Sequence, residues 1–162
     1  MKTQEMPTHP SSRAFGLKRI LAPVDFSPAS NNAVTYARRV GELTKADLIF
    51  VNVVEPDGSL GLEALPPVCI EELKANAEET LRGLVQAARE SGITVATSMI
   101  RSGLPAHEIV EAAKEFDVDL IVIATHGYTG WKHFCIGSTA ERVVRAAPCP
   151  VLVVREKEHD FV

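Results

Sequence analysis

The 162-residue chain contains no apolar run near the roughly 18–20 residues that a membrane-crossing helix needs; its strongest runs, IVIA and VLVV, have the length of β-strands. A membrane protein is therefore not expected. Cysteine is scarce and odd in number. Cys69, Cys135 and Cys149 lack metal-ligand spacing and fit a reducing cytoplasm better than a disulfide framework. Nor is positive charge in excess. A formal net charge of -4 argues against broad, salt-driven binding to nucleic acid, which needs clustered Lys and Arg, so any phosphate partner must be held locally. The amino end, MKTQEMPTHPSSRAFG, has no apolar segment of the kind a secretory signal carries, and its prolines and serines read as a flexible tail over residues 1–16. Two phosphate-binding signatures are missing as well. There is no G-x-x-x-x-G-K-[ST] with its lysine, and no G-x-G-x-x-G after the first apolar run.

What is present is the balance of one globular domain. Hydrophobic residues make up 46% of the chain and charged residues 23%, and the length suits a single core, placed at residues 17–156 with a short carboxyl tail at 157–162. KRILAPVDF reads as a short buried strand. It is followed by SPASNNAVTYARRVGEL, in which Ser27 suits an N-cap and Pro28 the first helical turn, with Ala33, Val34, Ala37, Val40 and Leu43 on one apolar face. ADLIFVNVVE is a continuous β-branched run, expected as a central strand. After a turn-rich stretch, Ile70, Leu73, Ala77, Leu81, Leu84, Val85 and Ala88 trace the stripe of a long helix closed by Gly92. ITVATSMI, DVDLIVIA and CPVLVV then read as strands, separated by the helices LPAHEIVEAAKEF and STAERVVRAA. Strict alternation of strand and helix implies an open, doubly wound α/β fold. Parallel neighbours need right-handed crossovers, and these place helices on both faces of a five-stranded sheet.

In such a sheet ligands settle beyond the carboxyl ends of the strands, where successive connections leave in opposite directions. With the strand order 3-2-1-4-5, that crevice lies between the first and fourth strands, walled by VDFS and ATHGYTGWKHFCIGS. The second stretch leads directly into a helix. Ser138 and Glu141 have the S-x-x-E spacing of a capping box, which predicts a helix start at Ser138 with unpaired N–H groups aimed back at the loop. Gly127 and Gly137 would let the chain bend with positive φ and approach an oxygen closely, which makes phosphate the natural guest.

On these residues the chain resembles the universal stress proteins, a Rossmann-like family of the adenine-nucleotide-binding α/β group. The resemblance extends over residues 18–155 and rests on PVDFS at the first strand tip, VNVVE at the second, APCPVLVV at the end and the loop between. Nucleotide-binding members carry G-x2-G-x9-G-[ST]. Here the register runs Ala124, two residues, Gly127, nine residues, Gly137, Ser138, so alanine replaces the first glycine. The resemblance implies that Pro23, Val24 and Asp25 line the nucleoside part, that Val53 abuts adenine, that Gly127, Gly137, Ser138 and Thr139 take phosphates, and that Ala124 and His126 lie beside the ribose or first phosphate. Asp25 would repel phosphate but can accept from a ribose hydroxyl or the adenine amine, or can fix the adjacent turn. Lys132 and His133 are candidates for positive charge near a polyphosphate tail, and Trp131 for anchoring the loop.

The implied ligand is ATP or AMP, with Mg²⁺ accompanying ATP. The implied role is a cytoplasmic stress-response module that signals to unidentified protein partners. The final strand, Val151 to Val154, is an edge in this order, and self-pairing into a homodimer would cover it. Two other functions stay open: an adaptor that dimerises without nucleotide, for which Ala124 is the argument, and a slow nucleotide hydrolase. The hydrolase has the least support, because no base, nucleophile and stabilising cation come together in the sequence.

Overall fold

The computed structural model describes residues 16–55, 67–125 and 137–155. Most of the amino-terminal tail, the turn-rich stretch before the second helix and the loop residues from His126 to Ile136 fall outside them. The described elements run β1 (Arg19–Pro23), α1 (Pro28–Thr44), β2 (Asp47–Val54), α2 (Pro67–Glu90), β3 (Val95–Ser102), α3 (Pro105–Glu115), β4 (Leu120–Ala124), α4 (Ser138–Ala146) and β5 (Val151–Val154). All strand pairs are parallel and the sheet order is β3-β2-β1-β4-β5.

Period-two alternation along each central strand divides the interior into two layers. Ile20, Ala22, Leu48, Phe50 and Val122 enter the core beneath α1 and α2, whereas Leu21, Ile49, Val51, Ile121 and Ile123 enter the core beneath α3 and α4. With both faces covered, neither set can be polar. This is why the strands read as unbroken apolar runs rather than alternating ones. Phe50 is fully buried, a burial that contributes about 1.5–3 kcal/mol.

The first helix starts as its sequence predicts. Ser27 Oγ accepts from Ser30 N at 3.1 Å and Pro28 occupies the first turn. It ends at Lys45, whose left-handed backbone (φ 60°) returns its N–H to Gly41 O. Two apolar faces are shorter than expected. Leu43 is 85% exposed. The stripe on α1 ends at Gly41, where an added Cβ would lie 3.3 Å from Leu48 Cδ2, and Leu43 sits about 200° round the helix from that point. On α2 the buried stripe is Ala77, Leu81, Val85 and Ala88, while Leu73 is 44% exposed. With 24 residues α2 is about 36 Å long, whereas the eight-residue β3 spans about 26 Å, so the first turns of α2 overrun the sheet.

At the amino end of the sheet, one side chain ties the two central strands together. Asp119 Oδ2 accepts from the backbone N–H groups of Lys18 (2.7 Å) and Arg19 (2.9 Å). The Arg19 N–H, with help from the Lys18 N–H, holds this carboxyl below its ordinary range against the opposing effect of partial burial. A carboxylate lowered on folding adds stability above its unfolded value, and that stability is lost as pH falls through the folded one. Asp119→Ala should therefore lower stability by about 1 kcal/mol at neutral pH, a figure reduced for solvent screening. The deficit should shrink below about pH 4, where the unfolded-state carboxyl protonates. Urea melts at pH 7 and pH 3 check this, and a deficit equal at both would contradict it.

Candidate functional site

The two central strands part company before they end. β1 pairs with β2 as far as Pro23–Val51, and β4 pairs with β5 as far as Ala124–Val154, yet β1 and β4 pair only at Ile20–Leu120 and Leu21–Ile121. The reason lies in the direction of the ladder. Along a parallel strand, successive residues bond to opposite neighbours. Val24 N bonds to Val51 O and Asp119 N bonds to Arg19 O, so even-numbered residues of β1 address β2 and odd-numbered ones address β4. Pro23 therefore faces β4 with a nitrogen that has no hydrogen to donate. Pairing ceases there and a crevice opens.

The cavity in that crevice has a volume of about 340 Å³, within the range typical of small-molecule sites. Pro23, Val24 and Asp25 at the tip of β1 and Val51, Val53 and Glu55 from β2 form one wall. Ile123, Ala124 and Thr125 from β4 and Gly137 through Ala140 from the start of α4 form the opposite wall. Pro105 and Ile109 of α3 close the apolar side, and Ser30 enters from α1. Arg101 at the end of β3 holds α3 in place through Glu108 (3.6 Å) and Glu115.

A compact turn presents the β1 tip. Phe26 adopts a left-handed backbone (φ 62°) between Asp25 and the Ser27 cap. Asp25 Oδ1 accepts from Ser27 N at 3.0 Å, and Asp25 N donates to Ser30 Oγ at 3.3 Å. Buried Asn52 donates from Nδ2 to Val24 O at 2.8 Å, which fastens the tip to β2. Among the described residues its Oδ1 has no partner. Asp25 thus fills the turn-fixing role open to it while still lining the cavity.

On the opposite wall the expected capping box is absent. The N-cap of α4 is Gly137, whose carbonyl accepts from Glu141 N at 3.0 Å. Ser138 becomes the first helical residue, and Glu141 lies one position too far along to reach back. Its carboxylate instead pairs with Arg145 at 2.9 Å. Gly137 also departs from expectation in its backbone. Its φ is −59° rather than positive, and its N–H is bound to Thr125 O at 2.7 Å, so this amide is not available to a ligand. The N–H groups that precede the first intrahelical bond belong to Ser138, Thr139 and Ala140, with the positive end of the helix dipole behind them. Ala124 is ordinary extended strand, so nothing in its conformation requires the motif's glycine.

Of the residues singled out from sequence, Pro23, Val24, Asp25, Val53, Ala124, Gly137, Ser138 and Thr139 are brought to this one cavity. His126 and Gly127 lie outside the described residues, as do Trp131, Lys132 and His133. Sequence reasoning missed several cavity residues. Val51 was detectable as the same-face partner of Val53 two residues away, and Glu55 ends the VNVVE run. Ser30, Pro105 and Ile109 come from helices whose approach only the fold reveals. Among the described residues no group of three metal-ligating side chains gathers.

Comparison with known proteins gives a consistent answer. Residues 16–155 match the model of the universal stress protein family. A universal stress protein of Methanocaldococcus jannaschii is 37% identical over 145 residues, covering 88% of this chain and 85% of that one. The solved structure of the universal stress protein UspA from Lactobacillus plantarum is 32% identical, with a TM-score of 0.73 over 86% of this chain and 99% of the other. Two more distant structures share the fold. One is a universal stress protein in complex with cAMP (22% identity, TM-score 0.66, 88% of this chain and 99% of that one), and the other is from Archaeoglobus fulgidus in complex with dAMP (24%, 0.60, 86% and 98%).

The two tasks available to Asp25 separate by substitution. Asp25→Asn keeps an acceptor for Ser27 N and should hold stability within about 0.5 kcal/mol, whereas Asp25→Ala should cost about 1 kcal/mol. Thermal melts of both variants check this. Equal losses would mean that the charge, not the acceptor, supports the turn.

Proposed function

The chain belongs to the universal stress protein family, and from that premise we propose that it is an adenine-nucleotide-binding module of the stress response, working as a homodimer. The observation that carries this reading is the crevice between β1 and β4, lined by apolar side chains and bounded by the first turn of α4, whose cap Gly137 has no side chain to offer its N–H groups. Val51, Val53, Ile109 and Ile123 offer a surface suited to a purine. Asp25 suits a ribose hydroxyl or the adenine amine, because a carboxylate accepts but does not donate. The N–H groups of Ser138, Thr139 and Ala140 suit a phosphate. Ala124 and Thr125 also line the crevice, and His126 and Gly127 follow them in the chain. The nucleotides held by the more distant structural relatives, cAMP and dAMP, share the adenine group and support the same class of ligand. The extended conformation of Ala124 removes the conformational objection that its alanine raised. With ATP, Mg²⁺ would arrive on the phosphates, since this metal keeps much of its hydration and needs few protein ligands.

For the dimer, the support is the sheet edge. Among the described residues β5 pairs only with β4, Leu152 is 36% exposed, and Val151 and Val153 are half-buried. A second copy across a two-fold axis would cover this edge.

Freshly purified protein, denatured and analysed by mass spectrometry, should release an adenine nucleotide, and calorimetric titration of the stripped protein should restore binding. No released nucleotide and no heat would favour an adaptor that works without one. Valine accepts the φ and ψ of Gly137 and retains its N–H. Gly137→Val should therefore weaken binding at least about tenfold while the melting temperature moves by no more than about 3 °C, equivalent to roughly 1 kcal/mol. Parallel losses of both would contradict the assignment. In light scattering at micromolar concentration the parent protein should have the mass of a dimer and Leu152→Glu that of a monomer. A monomeric parent would end the dimer proposal.

A further inference from the structure

We infer that Ser30, acting with Asp25, recognises the ribose hydroxyls of the bound nucleotide; this rests on the nucleotide reading above. Ser30 lines the cavity although it is only 3% exposed, so the little of it that is open borders the ligand space. Its hydroxyl behaves unlike others in the helices. Thr35, Thr44 and Thr80 each donate to the carbonyl four residues earlier, at 3.1, 2.7 and 2.9 Å, a common resting place for a helical hydroxyl. Ser30 Oγ instead accepts from Asp25 N at 3.3 Å, and among the described residues its proton has no acceptor. A donor left unpaired in so buried a place lowers stability, and a ligand that accepts from it recovers the loss. Asp25 supplies the complement. One carboxylate oxygen, Oδ1, accepts from Ser27 N at 3.0 Å, and the other has no donor among the described residues. The β1 tip therefore offers the cavity one donor and one acceptor, held in fixed relation by the bond from Asp25 N to Ser30 Oγ.

The order of the strands decides which part of a nucleotide meets this pair. With phosphate at the start of α4, which follows β4, the neighbouring strand across the crevice is β1 and the one beyond it is β2. Paired strands lie about 4.8 Å apart. A nucleotide runs phosphate, ribose, base in the same direction, so the ribose falls at the β1 tip and the base over Val51 and Val53 of β2. Each ribose hydroxyl both donates and accepts, so the sugar can donate to Asp25 and accept from Ser30 at once. A sugar without hydroxyls leaves the buried Ser30 donor unpaired. A site built to bond a hydroxyl discriminates against the ligand that lacks it.

Pairing the substitution with a change in the ligand separates recognition from support of the turn. In calorimetric titrations of the stripped full chain, AMP should bind at least about tenfold more tightly than 2′,3′-dideoxyAMP. Ser30→Ala should weaken AMP at least about fivefold and leave the dideoxy nucleotide within about twofold, because only AMP has the group that Ser30 addresses. A role confined to supporting the Asp25 turn would weaken both nucleotides alike. Asp25→Asn, which preserves the acceptor for Ser27 N, should also lower the preference for AMP, and serves if Ser30→Ala does not fold. Equal binding of the two nucleotides by the parent protein, or a preference unmoved by the substitutions, would overturn the inference while leaving the nucleotide reading intact. Absence of binding by both nucleotides would overturn it together with the reading on which it stands.

Discussion

A missing hydrogen organises the face of this molecule that carries the crevice. Because odd-numbered residues of β1 address β4, Pro23 sets a nitrogen without a proton where the β1–β4 ladder would have continued, and the pairing stops at Leu21–Ile121. Toward β2, the strand is addressed by even-numbered residues and remains bonded through Val24. One strand is thus held on one side and released on the other. The sheet opens at the position where its winding reverses, with the α1 turn on one lip and the start of α4 on the other.

The lips are held by contacts of different kinds. Asp25, Ser27 and Ser30 exchange side-chain and main-chain hydrogen bonds that fix the β1 tip and cap α1 together, so that tip and helix are placed as one unit. Across the crevice, Thr125 O and Gly137 N close the ends of the connection between β4 and α4 at 2.7 Å, whatever lies between them. Both arrangements stand on a core buried on both sheet faces, and Asp119 fastens the same two strands at the opposite end. Closed at the amino end and parted at the carboxyl end, β1 and β4 place the crevice on the rigid part of the fold. Leu43, turned away from the buried stripe of α1, and Leu73, where α2 runs past the sheet, do not contribute to it.

Much of this was legible in the chain before any coordinates. Continuous β-branched runs separated by helical periodicity are sufficient for a doubly wound parallel sheet, because a strand buried on both faces has no polar face to show. Ser27 and Pro28 were readable as a helix start for local reasons: a hydroxyl that can reach the third residue, and a ring whose φ already suits the first turn. The site's location followed from topology alone. Local pattern failed at α4, where S-x-x-E is compatible with two registers one residue apart. The bond from Gly137 N to Thr125 O, made within one wall of the crevice, accompanies the register with Gly137 as cap. Likewise, Glu55 and Ser30 carry no local mark of their place in the wall.

The sequence by itself determined the order and kind of the elements, the placing of the crevice at the sheet's switch point and the residues of the β1 tip, because these depend on contacts between near neighbours in the chain and on which faces must be apolar. Only the tertiary structure decided where the stripes on α1 and α2 end, which amides of α4 precede its first internal bond and that Asp25 and Glu55 line the same cavity. Those features arise between segments distant in the chain, where distance and direction in space count and spacing along the sequence carries no record of them.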